Sequence, residues 1–194
     1  MKELEDRILK DGHALNADVL LVDSFLNHQV DVQLMQHVGQ DFAEHFKNAG
    51  IDRVATIESS GIAPAAMTAL VLNVPLVIMK KATSAILSDS DSMTAKVHSF
   101  TKNTDYTLKC KRAYINKGDR VLFIDDFLAN GEAGLGAAKL IEEAGASVAG
   151  IGIVIEKGFQ SGGKELREKG YNLHSLALID SMDDEGNITF REEE

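Results

Sequence analysis

The chain has 194 residues, 44% of them hydrophobic, enough to bury one sizeable core, so a single domain over 1–194 is expected. Thirty acidic residues against twenty basic ones leave a net charge of −10. That field repels nucleic acid and anionic membranes and excludes a general phosphate-backbone binder. The single cysteine, Cys110, excludes an intrachain disulfide framework, and a charged start without an apolar signal-type stretch or a bilayer-length run predicts a soluble, cytoplasmic protein.

In chain order, Leu4, Ile8 and Leu9 predict a short amphipathic helix stopped by Gly12. After a stretch of mixed character, Asp31 is placed to cap a second helix. Its stripe is Val32, Met35, Val38, Phe42 and Phe46, and Gly50 ends it. From Ile51 strand and helix alternate. RVATIE reads as a strand, SSGIAP as a turn, AAMTALVLN as a helix and VPLVIM as the next strand. VLFID, a helix from about Ala133 to Ala144, and SVAGIGIVIE continue the series. Strands that are near-continuous apolar runs belong in a sheet covered on both faces. The expected class is therefore α/β, a Rossmann-like, mostly parallel sheet flanked by helices. Two segments break the rhythm. Residues 81–105 are rich in Ser, Thr and Asp, with strand signals at AKVHSF and YTLKCKRAYI. A long polar insertion of this kind is expected to be a flexible loop closing over a site. The tail MDDEGNITFREEE reads as a terminal hairpin with a solvated acidic end.

The chemistry concentrates where VLFI ends in Asp125 and Asp126. Ligands of open parallel sheets bind beyond the carboxyl ends of strands. The backbone amides of Ala129, Asn130, Gly131, Glu132 and Ala133 open a helix and can converge on a phosphate. Carboxylates accept hydrogen bonds and donate none, which suits the hydroxyls of a sugar. Acids beside a phosphate cradle thus suggest a sugar phosphate, while the same residues would also serve simply as a turn and helix cap. Neither G-x-x-x-x-G-K-[ST] nor a strand-linked G-x-G-x-x-G is present.

VLFIDDFLANGEA resembles the ribose-phosphate signature of the type I phosphoribosyltransferases. VDSFLNHQVD, TIESSGIAPA, SFTK, IDDFLANG and AGIGIVIEKGFQ, in that order, are similar to the bacterial branch of that family that acts on xanthine, and the likeness spans essentially the whole chain. It implies the type I fold with a small hood or base-binding region, residues 1–50 contributing to the purine pocket, and a homodimer. It also implies transfer of the 5-phosphoribosyl group from phosphoribosyl pyrophosphate (PRPP) to xanthine in purine salvage, giving xanthosine 5'-monophosphate and pyrophosphate. Mg2+ would be the cofactor, held mainly through pyrophosphate and ribose rather than by a protein ligand set.

The resemblance implies roles residue by residue. Asp125 and Asp126 would hold the ribose hydroxyls and stabilise developing positive charge. Ala129 to Ala133 would bind the 5-phosphate. Glu58, Ser59, Ser60 and Gly61 match the pyrophosphate loop, although Ser60 would equally cap a helix with Pro64 in its first turn. Lys80 and Lys81 would meet pyrophosphate, their order undecided. Lys157 would donate to the exocyclic oxygen of the base, favouring an oxo over an amino group. Asn27 would recognise the 2-position, Leu20 would shape the wall, and Phe159 would stack on the base or else be a core aromatic. Hypoxanthine-guanine relatives carry an Asp where this chain has Ala129, so no residue is assigned to the purine proton. Glu132, a carboxylate within a phosphate loop, must point away from the phosphate. Other 6-oxopurines remain alternative substrates. A PRPP-sensing regulator of the same fold would need a basic DNA-binding segment, and the fifty residues before Ile51 are not basic. A receiver-like signalling domain would carry its acids in another order.

Overall fold

The computed structural model of the chain describes residues 1–82, 91–99 and 104–191. Helix α1 (Lys2–Asp11) leads into a two-residue antiparallel pair, β1 (His13–Ala14) with β2 (Leu20–Leu21), and a single π turn at Asp23–Asn27. Helix α2 (Val32–His45), β3 (Arg53–Ile57), α3 (Ile62–Leu72) and β4 (Leu76–Ala82) follow. A hairpin of β5 (Ser92–Ser99) and β6 (Thr104–Lys111) comes next. The chain then runs through β7 (Arg120–Leu128), α4 (Glu132–Glu143), β8 (Ser147–Lys157), α5 (Gly162–Glu168), β9 (Leu173–Met182) and β10 (Ile188–Phe190).

Eight strands form one sheet in the order β10-β9-β8-β7-β3-β4-β6-β5. The five strands from β9 to β4 are parallel, and antiparallel pairings close the two edges. From β3 the chain steps outward to β4. It returns on the opposite side of β3 as β7 and continues to β8 and β9. The order therefore reverses between β3 and β7, the place where an open parallel sheet leaves a crevice at its carboxyl edge.

Two apolar cores cover the two faces, as the unbroken apolar strands require. On one, Leu4 and Ile8 of α1, Met35, Val38 and Phe42 of α2 and Ala65 of α3 pack with Val54, Leu122, Ile124 and Val154 of the sheet. On the other, Ala137, Leu140 and Ile141 of α4 and Leu166 of α5 pack with Phe123, Ile151 and the inward residues Met93, Val97 and Leu108 of the hairpin. Each fully buried Phe or Leu contributes roughly 1.5–3 kcal/mol over exposure. Cys110 in β6 is buried among them, and burial pushes its thiol up to about 11. Among the described residues no helix is long and apolar enough to cross a membrane.

Asp31 caps α2, its carboxylate accepting from the Leu34 amide at 3.1 Å and from Arg7 at 2.7 Å. Two residues of the expected stripes face water. Leu9 is 54% exposed because it lies off the Leu4–Ile8 line, and Val32 is 60% exposed at the first position after the cap. The expected turn SSGIAP is shorter than read. Helix α3 already begins at Ile62, since Pro64 sits in the first turn where its missing N–H is no loss. Its N-cap is Gly61, and no side chain caps it, so Ser60 is not a cap.

The polar stretch 81–105 is largely strand where it is described. β5 starts earlier than AKVHSF and β6 ends before Arg112, because the pair is registered by β6 joining the edge of β4, with Lys81 opposite Leu108. The expectation of a flexible loop at 83–90 and 100–103 falls outside the described residues, as do most of SFTK and the acidic end 192–194. The terminal hairpin forms between β9 and β10, Met182 opposite Ile188.

Candidate active site

The carboxyl ends of β3 and β7 lie side by side at the reversal of strand order, and each runs into a helix. Between them opens a cleft of about 510 Å³ lined by Ile57, Glu58, Ser59, Ser60, Lys81, Asp125, Asp126 and Ala133. A smaller cavity of about 130 Å³ shares Asp125 and Ala133 and is walled by Phe127 and by residues 128–134, with His98 from the hairpin. The structure thus brings together the acidic pair, the residues following β3 and the start of α4, segments that are far apart in sequence.

Strand alternation separates the two lysines of β4. Lys80 forms an ion pair with Glu58 at 3.1 Å. Lys81 lines the cleft, with its ammonium 5.4 Å from the centre of the Tyr106 ring. The Glu58 carboxylate also accepts from the Lys81 amide at 2.8 Å. Burial works to raise the Glu58 carboxyl, but the hydrogen bonds from Lys80 and from that amide outweigh it and hold the carboxyl below its usual range. The Glu58–Ser59 peptide is cis.

Asp125 is 8% exposed, and one of its oxygens accepts from the Asp126 amide at 3.0 Å. Burial, and then the neighbouring charge of Asp126, push its carboxyl well above the ordinary carboxylate value, with Lys81 countering only in part. Gly61 allows this placement. A Cβ there would meet Thr56 and lie 2.9 Å from Oδ1 of Asp125. Among the described residues the buried Thr56 hydroxyl has no hydrogen-bond partner. Tyr106 stays neutral, since burial and then the charges of Asp125 and Glu132 push its hydroxyl up to about 12.

Gly131 caps α4 with φ +87, a conformation that side chains rarely adopt. Glu132 is the first helical residue, half-buried on the wall of the smaller cavity. The loop rests on α5, where the Gly162 amide donates to the Ala129 carbonyl at 2.9 Å.

Lys157 ends β8 and donates to the Asp18 carbonyl at 2.5 Å. Its ammonium lies 5.6 Å from the centre of the Phe127 ring. Burial lowers its pKa, and Asp18 opposes the shift. Phe127 therefore touches Lys157 while walling the cavity that Asp125 shares. Sequence reasoning passed over Phe127, although its place two residues after Asp125 puts both on one side of β7. Phe159 lies elsewhere, 38% exposed on a separate cleft with Gln160, Lys164 and Arg191. That exposure rules out the core alternative for it. Leu20 is buried in the core. Asn27 is exposed at the end of the π turn, and neither residue lines the two cavities.

The profile of the phosphoribosyl transferase domain matches residues 17–181. A "Xanthine phosphoribosyltransferase" of Clostridium botulinum is 58% identical over 183 residues, covering 94% of this chain and 96% of the relative. Another of that name, from Bacillus cereus, is 53% identical over 194 residues, covering 100% and 98%. Among solved structures, an adenine phosphoribosyltransferase of Thermoanaerobacter pseudethanolicus matches with TM-score 0.66 and 25% identity over 76% of this chain and 81% of that one. One from Rhodothermus marinus, 22% identical, shares the fold with TM-score 0.73 over 92% and 99%. With the fold, the strand-order reversal and the matched segment in agreement, the chain belongs to the phosphoribosyltransferase family.

Proposed function

We propose that the chain transfers the 5-phosphoribosyl group of PRPP to xanthine, forming xanthosine 5'-monophosphate and pyrophosphate, and that one domain spanning the chain carries this activity. The observation that carries the reading is the cleft at the reversal between β3 and β7. There an acidic pair, the turn after β3, Ala133 at the start of α4 and one lysine line the same space. The names of the relatives at 53–59% identity favour xanthine as the base.

In this reading the start of α4, Ala129 to Ala133, takes the 5-phosphate on its amides. Asp125 and Asp126 accept the ribose hydroxyls and stabilise the positive charge that develops as pyrophosphate leaves. Glu58 to Gly61 and Lys81 face the pyrophosphate, with Lys80 holding Glu58 in place. Lys157 donates to a purine oxygen, and Phe127 beneath it gives the base an aromatic face. Rejecting adenine follows from the donor-only ammonium, which leaves an exocyclic amino group without an acceptor. Asn27, Leu20 and Phe159 line neither cavity, and their assignment to the base rests on the sequence resemblance alone.

Among the described residues no group of three or more acids, histidines or thiols converges into a metal cage. The adjacent carboxylates of Asp125 and Asp126 fit a Mg2+ whose other ligands come from pyrophosphate and ribose. When bound, that ion offsets the charge of the departing pyrophosphate. We assign the protein to the cytoplasm as a homodimer with no nucleic-acid or membrane partner, in keeping with its net charge of −10.

The test is a substrate panel of PRPP and Mg2+ with xanthine, guanine, hypoxanthine or adenine in turn, following nucleotide formation. Xanthine is expected to give the highest kcat/KM and adenine none. Absence of product with every base overturns the enzymatic reading, and a clear preference for guanine overturns the choice of base.

A further inference from the structure

β8 ends on two residues that face opposite ways. Lys157 turns toward Phe127 and Asp18. Glu156 turns to the other face and is 2% exposed. Its two oxygens accept both guanidinium hydrogen bonds of Arg167 on α5, at 2.7 and 2.8 Å, and Oε2 also accepts from the Ser175 hydroxyl on β9. A bidentate pair around a buried carboxylate allows little choice of geometry.

Two neighbouring glycines transmit that geometry. At Gly163 a Cβ would collide with Oε1 of Glu156 and lie 2.6 Å from Nη1 of Arg167, so only glycine lets the first turn of α5 pass the ion pair. At Gly162 a Cβ would lie 2.5 Å from the Gly131 nitrogen and 2.7 Å from the Asn130 carbonyl carbon. One side of this turn is thus pressed on the carboxylate, and the other on the backbone of the loop that opens α4.

We propose that Glu156 and Arg167 are positioning residues for the 5-phosphate loop. Their ion pair fixes α5, and Gly162 passes that position to Ala129, Asn130 and Gly131 through backbone contact. The inference rests on the assignment of that loop to PRPP. Amides that must converge on one phosphate tolerate little displacement, so a small shift of α5 weakens PRPP without touching the base at Lys157.

Steady-state kinetics and calorimetric titration with PRPP, alongside thermal unfolding, test this on the unmodified chain, Arg167→Met, Arg167→Lys, Glu156→Gln and Lys164→Met. Arg167→Met is expected to raise KM and Kd for PRPP about tenfold, with kcat and the xanthine KM within about twofold. Glu156→Gln should move the constants in the same direction. Arg167→Lys, which keeps the charge and one hydrogen bond, should fall between Arg167→Met and the unmodified chain. Lys164→Met breaks the exposed 3.7 Å pair with Glu168 on the same helix and should leave every constant unchanged. Earlier melting with unmodified PRPP constants overturns the proposal, as does an equal rise in the xanthine KM. If Arg167→Met does not fold, Arg167→Lys and Glu156→Gln decide by the same criterion. An unmodified chain that neither binds nor turns over PRPP overturns the underlying assignment, and this one with it. Insensitive variants of an active chain overturn the positioning role alone.

Discussion

Asp125 is held where its charge is unfavourable. Burial and the charge of Asp126 raise its carboxyl well above the unfolded value. Between those two values the native state keeps a proton that the unfolded chain has released. Stability is therefore greatest below the unfolded value and falls as pH climbs through the folded one. Asp125→Asn removes that penalty while keeping an oxygen to accept the 3.0 Å bond from the Asp126 amide. The variant should melt at a higher temperature than the unmodified chain at pH 8, with the difference closing toward pH 4. It should also lose about 10²-fold or more in kcat/KM. A residue that merely closed a turn would show the reverse, lower stability and intact turnover. Lys157→Ala belongs to the same scale. Losing a hydrogen bond from a charged donor should raise the xanthine KM by on the order of 10- to 100-fold and move the PRPP KM far less.

Elements meet at the site through backbone more than through side chains. The turn after β3 passes so close to β7 that Gly61→Ala would place a methyl 2.9 Å from Oδ1 of Asp125. Kinetics on that variant should show at least about a tenfold fall in kcat/KM, and melting should show a loss of roughly 1–3 kcal/mol from overpacking. Contacts of this kind set the limit of what could be read in the sequence. The apolar runs RVATIE, VLFID and SVAGIGIVIE announced buried parallel strands, and the acids at the end of VLFID marked the edge that carries the cleft. Helix α5 went unread because seven residues beginning with two glycines give no apolar period, and their value lies in what they touch. Strand β9 was likewise unread between SVAGIGIVIE and the tail. Alternation puts Lys80 and Lys81 on opposite faces, yet only the pairing of β4 with β3 and β6 settles that Lys81 is the one on the cleft. Phe127 is legible from its alternation with Asp125, whereas the resemblance points to Phe159.

Across the whole molecule, β3, α3 and β4 form one half of the sheet with the antiparallel hairpin at its edge, and β7 to β9 form the other. A ligand in the cleft touches both halves and should stabilise the fold as a unit. PRPP with Mg2+ at about a hundred times its Kd should add about 2.7 kcal/mol, and thermal unfolding should shift upward by roughly 5–10 °C for a chain of this size. An unchanged Tm would count against PRPP binding independently of any turnover assay. The hairpin supplies its own reporter for such measurements. With its thiol raised to about 11, Cys110 is almost wholly protonated near neutrality, and at 4% exposure it is shut away from alkylating reagents. Modification then keeps time with the parting of β6 from its neighbours rather than with sulfur chemistry. Lys81 on the cleft lies opposite Leu108, two residues before Cys110 on β6, so the lone thiol is a clock for the strand that flanks Lys81, and it should run slower when PRPP is present.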